Sequence, residues 1–329
     1  MHSSESKKRK RGIRAAAAAA VFVLALLLLD FVLYPCTFIR SDIYRVRTER
    51  VEDLILGGSH GKMNISPSEM QEVDGRTGHN LCVGGEYPAD SYYLLRLLVE
   101  KGKKPDRVIY AISPEYFMNE KEEGNNYLLF YHEFPFSLAK LAYFRDMIAK
   151  CSFRSVLFPW YEYPLSYEIS SAKETVERKF RKDYSADSYA TDAQKYHEDG
   201  FIERYPTDPE TFSYAGLHEF SEEQVVPEQM EWMRKLIGLC RQEEIRFVCV
   251  MAPVPAPTLK HFEKGFLSAD RFFSAFFSEN GVEFLNFNDP DSELFKVFTH
   301  RVDAYTDLDG HMNGDAARAF SKRLAALLM

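Results

Sequence analysis

The sequence predicts an α/β fold: a five-stranded parallel sheet covered by helices, carried behind one N-terminal membrane helix. Three observations point there. Short apolar runs of strand length recur at residues 53–57, 79–83, 107–112, 245–252 and 282–287. Helical apolar spacing fills the intervals at residues 89–101, 227–244 and 264–280, and strands joined by crossovers of that length run parallel. A charge-free apolar run, Ala15–Leu29, stands near the amino terminus.

Taken in order, residues 1–14 form a basic tail containing Lys7, Lys8, Arg9, Lys10, Arg11 and Arg14. Residues 15–35 are read as a transmembrane anchor, since about 20 residues rising ~1.5 Å each cross the ~30 Å hydrocarbon core. Asp30 lies near one end of the span, where a charge is tolerated. The competing reading is a cleaved signal peptide, but no small-x-small site follows, and Pro35-Cys36 is a poor processing site. An uncleaved anchor places the basic flank in the cytoplasm and the rest of the chain outside, in a single-pass arrangement at the cell membrane. Residues 36–50 read as a charged connector, and 51–329 as one extracytoplasmic domain. That domain carries a central insertion over about 125–223.

The first strand ends at Gly57-Gly58, followed by Ser59 and a short polar segment. The helix at 89–101 stops at Gly102, and the third strand closes at Ser113-Pro114. Asn125–Ser166 is dense in aromatics around one helix expected at Ser137–Lys150. It reads as a helical insertion with an ordinary core, or as a lid or a surface facing lipid or glycan. Ser170–Glu223 lacks clear period and reads as a long insertion of low order or short helices. The final helix, Gly314–Leu328, has Asn313 as its cap and Asp315 in its first turn.

From Ser41 onward there are 34 basic and 47 acidic residues, a net of −13. Such a surface repels phosphate backbones, so no nucleic-acid partner is expected. The five cysteines form no CxxC or other metal spacing, and the nine histidines are scattered without a His-x-x-x-His cluster. No metal and no cofactor are expected. The Gly57–Lys62 stretch is no P-loop: Leu56 stands where the first glycine belongs and Met63 where Ser or Thr must be.

Chemistry is expected from two distant loops. Ser59 follows the first strand in a Gly-Gly-Ser turn, at the carboxyl end where ligands gather in such sheets. Just before the last helix the chain reads Asp307-Leu308-Asp309-Gly310-His311. A histidine on a loop with an aspartate two residues upstream suits a general base and its orienting carboxylate. Asp307 remains a competitor for that carboxylate. His60, His79 and His132 read as polar or capping residues, though His60 could touch substrate.

These residues resemble the SGNH (GDSL-like) hydrolases, in particular the membrane-anchored branch of DltD-like proteins and alginate-type polysaccharide O-acetyltransferases. Gly57-Gly58-Ser59-His60 is similar to the first block, Asn80-Leu81-Cys82-Val83-Gly84-Gly85 to the second and Asp309-Gly310-His311 to the last. The resemblance implies a three-layer α/β/α flavodoxin-like sandwich. It also implies Ser59 as nucleophile, His311 as base, Asp309 as acid, and Ser59 with Gly85 in the oxyanion hole. Where the third block would read Gly-x-Asn-Asp, the chain has Ala111-Ile112-Ser113-Pro114-Glu115, so one oxyanion donor worth roughly 3–4 kcal/mol is missing. His60, Ser113 and Glu115 are expected near the substrate. The implied activity is transfer of an acyl group, acetyl first among them, through acyl-Ser59 to a sugar hydroxyl or water. The implied partners are a cell-envelope polysaccharide or teichoic-acid-like polymer and a polytopic membrane-bound O-acyltransferase as donor. The alternative is a non-catalytic SGNH-shaped glycan-binding or accessory subunit.

Overall fold

The computed structural model of the chain describes residues 2–34, 37–121, 128, 130–148, 156, 171–180 and 189–329. Its centre is one five-stranded sheet of β1 (Asp53–Gly57), β2 (Gly78–Asn80), β3 (Arg107–Ala111), β6 (Arg246–Met251) and β7 (Glu283–Asn286). Their order is β2-β1-β3-β6-β7, with every neighbouring pair parallel.

Alternation along the strands divides two cores. Leu54, Leu56, Val108, Tyr110, Cys249 and Met251 face one side. There they pack with α5 (Pro88–Glu100), α8 (Pro227–Gln242) and α10 (Glu263–Glu279). Ile55, Ile109, Ala111, Val248 and Val250 face the other, against α4 (Pro67–Asp74) and the last helix, α12 (Gly314–Leu328). Leu54, Ile55 and Leu56 are wholly buried, each worth roughly 1.5–3 kcal/mol of transfer from water.

The second strand is shorter than the expected 79–83. The chain still follows β1, because Leu81 and Val83 donate to the carbonyls of Ile55 and Gly57. Strand pairing lapses where the Asn80 side chain takes the Cys82 N–H at 3.0 Å. The expected polar segment after Ser59 is instead two helices, α3 (Ser59–Asn64) and α4.

Helix α1 (His2–Leu33) includes the basic tail. Its Lys8–Leu33 stretch is, among the described residues, the one helix long and apolar enough to cross a membrane, and none of it is buried in the protein. Residues read as a connector form α2 (Phe38–Thr48), which docks on the domain through Ile39, Ile43 and Val46. A buried carboxylate, Asp42, holds it there. Asp42 accepts from Lys62 Nζ at 2.9 Å, from the His79 ring at 3.0 Å and from the Tyr196 hydroxyl. Closer to α1, Tyr34, Thr37 and Arg40 all donate to the buried carboxylate of Glu133 at 2.6–2.7 Å.

The expected helix at 137–150 appears as α6 (Leu138–Asp146), capped by the Ser137 hydroxyl. Phe130, Phe134 and Tyr143 of the aromatic stretch are buried in the core beside α5. Most of the remainder lies outside the described residues. Further on, α7 (Ser171–Phe180) precedes an antiparallel hairpin of β4 (Gln194–Tyr196) and β5 (Ile202–Arg204). The helix and the short turns at Pro209–Thr211 and Glu222–Gln224 match the expectation of short helices, and the hairpin is order that the sequence did not signal. The Asp199 carbonyl accepts from Asn80 N–H at the sheet edge, and Glu203 pairs with Arg318 of α12 at 2.9 Å.

Candidate active site

Loops from distant parts of the chain meet at the carboxyl ends of the strands. Gly57 pairs with Ala111, so Ser59 and Ser113 each stand two residues beyond that pair. Gly57 has φ +122°, and a Cβ there would lie 2.2 Å from the Ala111 carbonyl oxygen; only glycine makes this turn. The turn puts Ser59 at the first position of α3, where its N–H has no intrahelical acceptor. Gly61 presses the helix against the sheet, with a Cβ there 2.4 Å from Cys82 Sγ.

The loop before α12 is pinched by a bridge between Tyr305 and Met312. Asn64, at the end of α3, fastens the loop to the Ser59 helix. Its amide donates to the Gly310 carbonyl at 2.9 Å and its oxygen accepts from Met312 N–H at 2.8 Å. Thr258 Oγ1 donates to the Leu308 carbonyl at 2.6 Å from the opposite side.

Held this way, Ser59 Oγ lies 2.8 Å from His311 Nε2. On the ring's other nitrogen, Nδ1, sits an Asp307 oxygen at 2.7 Å. The orienting carboxylate is therefore Asp307, in place of the expected Asp309. The pinched loop folds residue 307 back under the ring, where its second oxygen also accepts from the N–H of Gly310 and His311. Burial pushes the Asp307 carboxyl up, but the His311 hydrogen bond and charge and the two backbone donors overcome it, bringing it down to about 2. Asp309 faces the opposite nitrogen, 3.7 Å from His311 Nε2.

His60 bridges three loops. Its Nε2 lies 2.8 Å from the Asp309 carbonyl and its Nδ1 2.8 Å from Ser113 Oγ. A carbonyl only accepts, so Nε2 bears the proton, and in the neutral ring Nδ1 accepts from the Ser113 hydroxyl. The His60 ring stacks on His311 with centroids 5.0 Å apart. Burial opposes charge on His60, yet Asp309 and Glu115 outweigh it and its pKa lies above the ordinary value. Glu115 is driven the same way, upward, by burial and secondarily by Asp309.

Beside these groups opens a pocket of about 160 Å³, lined by His60, Glu115, Tyr116, Val254, Phe262 and Asp309 among others. Of the expected substrate-facing residues, His60 and Glu115 line it, while Ser113 is buried and spends its hydroxyl on His60. Gly85 has φ +81°, and a Cβ built on Gly84 would lie 3.7 Å from the Ser59 Cβ.

Sequence reasoning missed Asn64 and the anchoring role of His60. No motif marks the asparagine; for His60 the only signal is its position next to the serine. Linear spacing also hid a cluster: His60, Asp309 and His311 bring potential metal-ligand atoms within 4.8 Å of one another. No protein-family model matches the chain, and no curated protein matches it in sequence.

Proposed function

We propose that the chain is an SGNH-type serine acyltransferase or esterase on a flavodoxin-like sandwich, anchored by α1 with its catalytic domain outside the cell. The observation that carries this reading is the continuous array Ser59 Oγ–His311 Nε2, His311 Nδ1–Asp307, with links of 2.8 and 2.7 Å. His311 takes the Ser59 proton as Oγ attacks an acyl ester, and Asp307 stabilises the imidazolium. The resemblance assigns the developing oxyanion to the N–H groups of Ser59 and Gly85. His311 then protonates the departing alcohol. In the second half, it deprotonates a sugar hydroxyl or water, which takes the acyl group and releases Ser59. The acceptor class is a cell-envelope polysaccharide or teichoic-acid-like polymer, with acyl groups, acetyl foremost, supplied by a polytopic membrane O-acyltransferase.

The test is labelling of the detergent-solubilised full chain with a serine-directed fluorophosphonate. Labelling at Ser59 that disappears in Ser59→Ala and His311→Ala is the expected result; an unlabelled wild-type chain would sink the proposal. One observation favours a second reading, a glycan-binding accessory subunit: Ser113, standing where the third-block asparagine belongs, has its hydroxyl committed to His60. Glycan binding undiminished in Ser59→Ala, with no labelling, would select it.

A further inference from the structure

We propose that His60, Asp309 and His311 form a binding site for a single divalent transition-metal ion of the zinc class. The donor set is two imidazole nitrogens and one carboxylate, a combination that suits zinc and leaves a fourth position open. All three ligand atoms lie within 4.8 Å of one another, although His60 and His311 are 251 positions apart in the chain. Asp309 Oδ1 is 3.7 Å from His60 Nε2 and its Oδ2 3.7 Å from His311 Nε2.

The surroundings are those of a metal centre's outer layer. Each ring offers Nε2 to the shared space while its Nδ1 is already engaged, by Asp307 at 2.7 Å and by Ser113 at 2.8 Å. Such partners fix the ring orientation and strengthen the nitrogen as a ligand. Asp307, Asp309 and Glu115 all act electrostatically on His60, so the centre gathers negative charge around two imidazoles. A dication answers that imbalance.

Binding needs a modest contraction. Tetrahedral bonds of about 2.0–2.2 Å hold ligand atoms about 3.4 Å apart. The carboxylate, 36% exposed, must approach each ring by a few tenths of an ångström, and ligand atoms as much as 4.8 Å apart must close by up to about 1.4 Å. The rings, tilted 24° to one another, must turn so that both Nε2 lone pairs converge. In turning, His60 releases the Asp309 carbonyl and its ring proton passes from Nε2 to Nδ1, which then donates to Ser113 Oγ, while His311 releases Ser59. The ion then holds the lone pair that would have accepted the serine proton. Metal binding itself is independent of the acyl-transfer reading; the consequence that zinc silences Ser59 rests on it.

The experiment uses the full chain in detergent, without a polyhistidine tag and stripped by chelator, titrated calorimetrically with Zn²⁺ and followed in parallel by fluorophosphonate labelling. The expected result is one ion per chain, a Kd at least ~100-fold weaker in Asp309→Ala and in His60→Ala, and an unchanged Kd in Asp303→Ala. Ser59→Ala retains binding. Co²⁺ in place of zinc gives the visible absorption of a tetrahedral site, lost in Asp309→Ala. Labelling of Ser59 falls in step with zinc occupancy and returns on chelation. Absence of stoichiometric binding, or binding equally strong in Asp309→Ala, overturns the site. Should His60→Ala fail to fold, Asp309→Ala decides alone, since its side chain is about a third exposed and makes no hydrogen bond to another element among the described residues. A chain that binds zinc but never labels at Ser59 would keep the metal site and discard the acyl-transfer proposal.

Discussion

Two aspartates compete for one histidine, and exchanging each for asparagine separates them. On the proposed acyl transfer, Asp307→Asn removes the charge that faces the imidazolium formed when Ser59 gives up its proton. Asp307 lies 2.7 Å from His311 Nδ1, with the ring 12% and the carboxylate 31% exposed. The descent of Asp307 from 3.8 to about 2 corresponds to about 2.5 kcal/mol, shared between the ring and two backbone donors. Placed wholly on the transition state, that is a factor of about 60. Asparagine can also hold the wrong tautomer, which in a chymotrypsin-type triad costs about 10⁴ in kcat. The expected loss is therefore ~10²–10⁴ in kcat/KM. Asp309→Asn alters a carboxylate 3.7 Å from the opposite nitrogen and is expected to cost under about tenfold, about 1.4 kcal/mol. The assay is p-nitrophenyl acetate hydrolysis by the full chain, with the rate of fluorophosphonate labelling as a second readout. Equal losses for the two variants, or a larger one for Asp309→Asn, would refute the assignment. Stability supplies an independent check. A depressed carboxylate stabilises in full above the unfolded value near 4 and loses that contribution as pH falls toward 2, so Asp307→Asn should flatten the acid limb of the unfolding curve.

Three further places in the scaffold are open to substitution: Glu86, the Lys62–Asp42 pair and Gly57. Burial, aided by Asp90, pushes Glu86 from 4.5 up to about 8, so it folds protonated. Its stabilisation is complete below pH 4.5 and is lost as pH rises to about 8, up to about 4–5 kcal/mol; Glu86→Gln should raise the melting temperature at pH 8 more than at pH 5. Lys62→Met leaves Asp42 charged and buried without its cation, at a cost of roughly 3–5 kcal/mol. The double variant with Asp42→Asn should recover part of that loss in denaturant unfolding. Gly57→Ala forces a Cβ against the Ala111 carbonyl at a left-handed φ, so both folded yield and Ser59 labelling should collapse, whereas Gly238→Ala, in α8 with an ordinary φ and open space around its Cβ, should retain both.

The sheet was legible because each strand carries its own signal. Leu54-Ile55-Leu56 and Val248-Cys249-Val250 are apolar on both faces, as strands covered on both sides must be. Elements whose burial depends on a distant partner were not legible. Asp42 and its charged neighbours made residues 36–50 read as a connector, although Ile39, Ile43 and Val46 already trace a helical stripe. The stripe becomes a docking face because Lys62, His79 and Tyr196 satisfy the aspartate. The hairpin at 194–204 is short and polar, and takes its order from contacts with Asn80 and Arg318.

The same distinction governs the site. Residue types and their place on loops located Ser59 and His311, since a serine after a Gly-Gly turn needs only β1 to be positioned. Which aspartate orients the histidine depends on how the intervening loop closes, and that is decided by atoms elsewhere. Asn64 grips Gly310 and Met312, Thr258 grips Leu308, and the Tyr305–Met312 bridge shuts the loop. With those constraints residue 307 turns under Nδ1 and residue 309 is displaced to Nε2. Two-residue spacing favours Asp309 in an extended loop, whereas a closed one favours Asp307. The two proposals for this centre, proton transfer and metal binding, rest on the same closure, because it is what brings Asp309 and His60 to the Nε2 of His311 that Ser59 also faces.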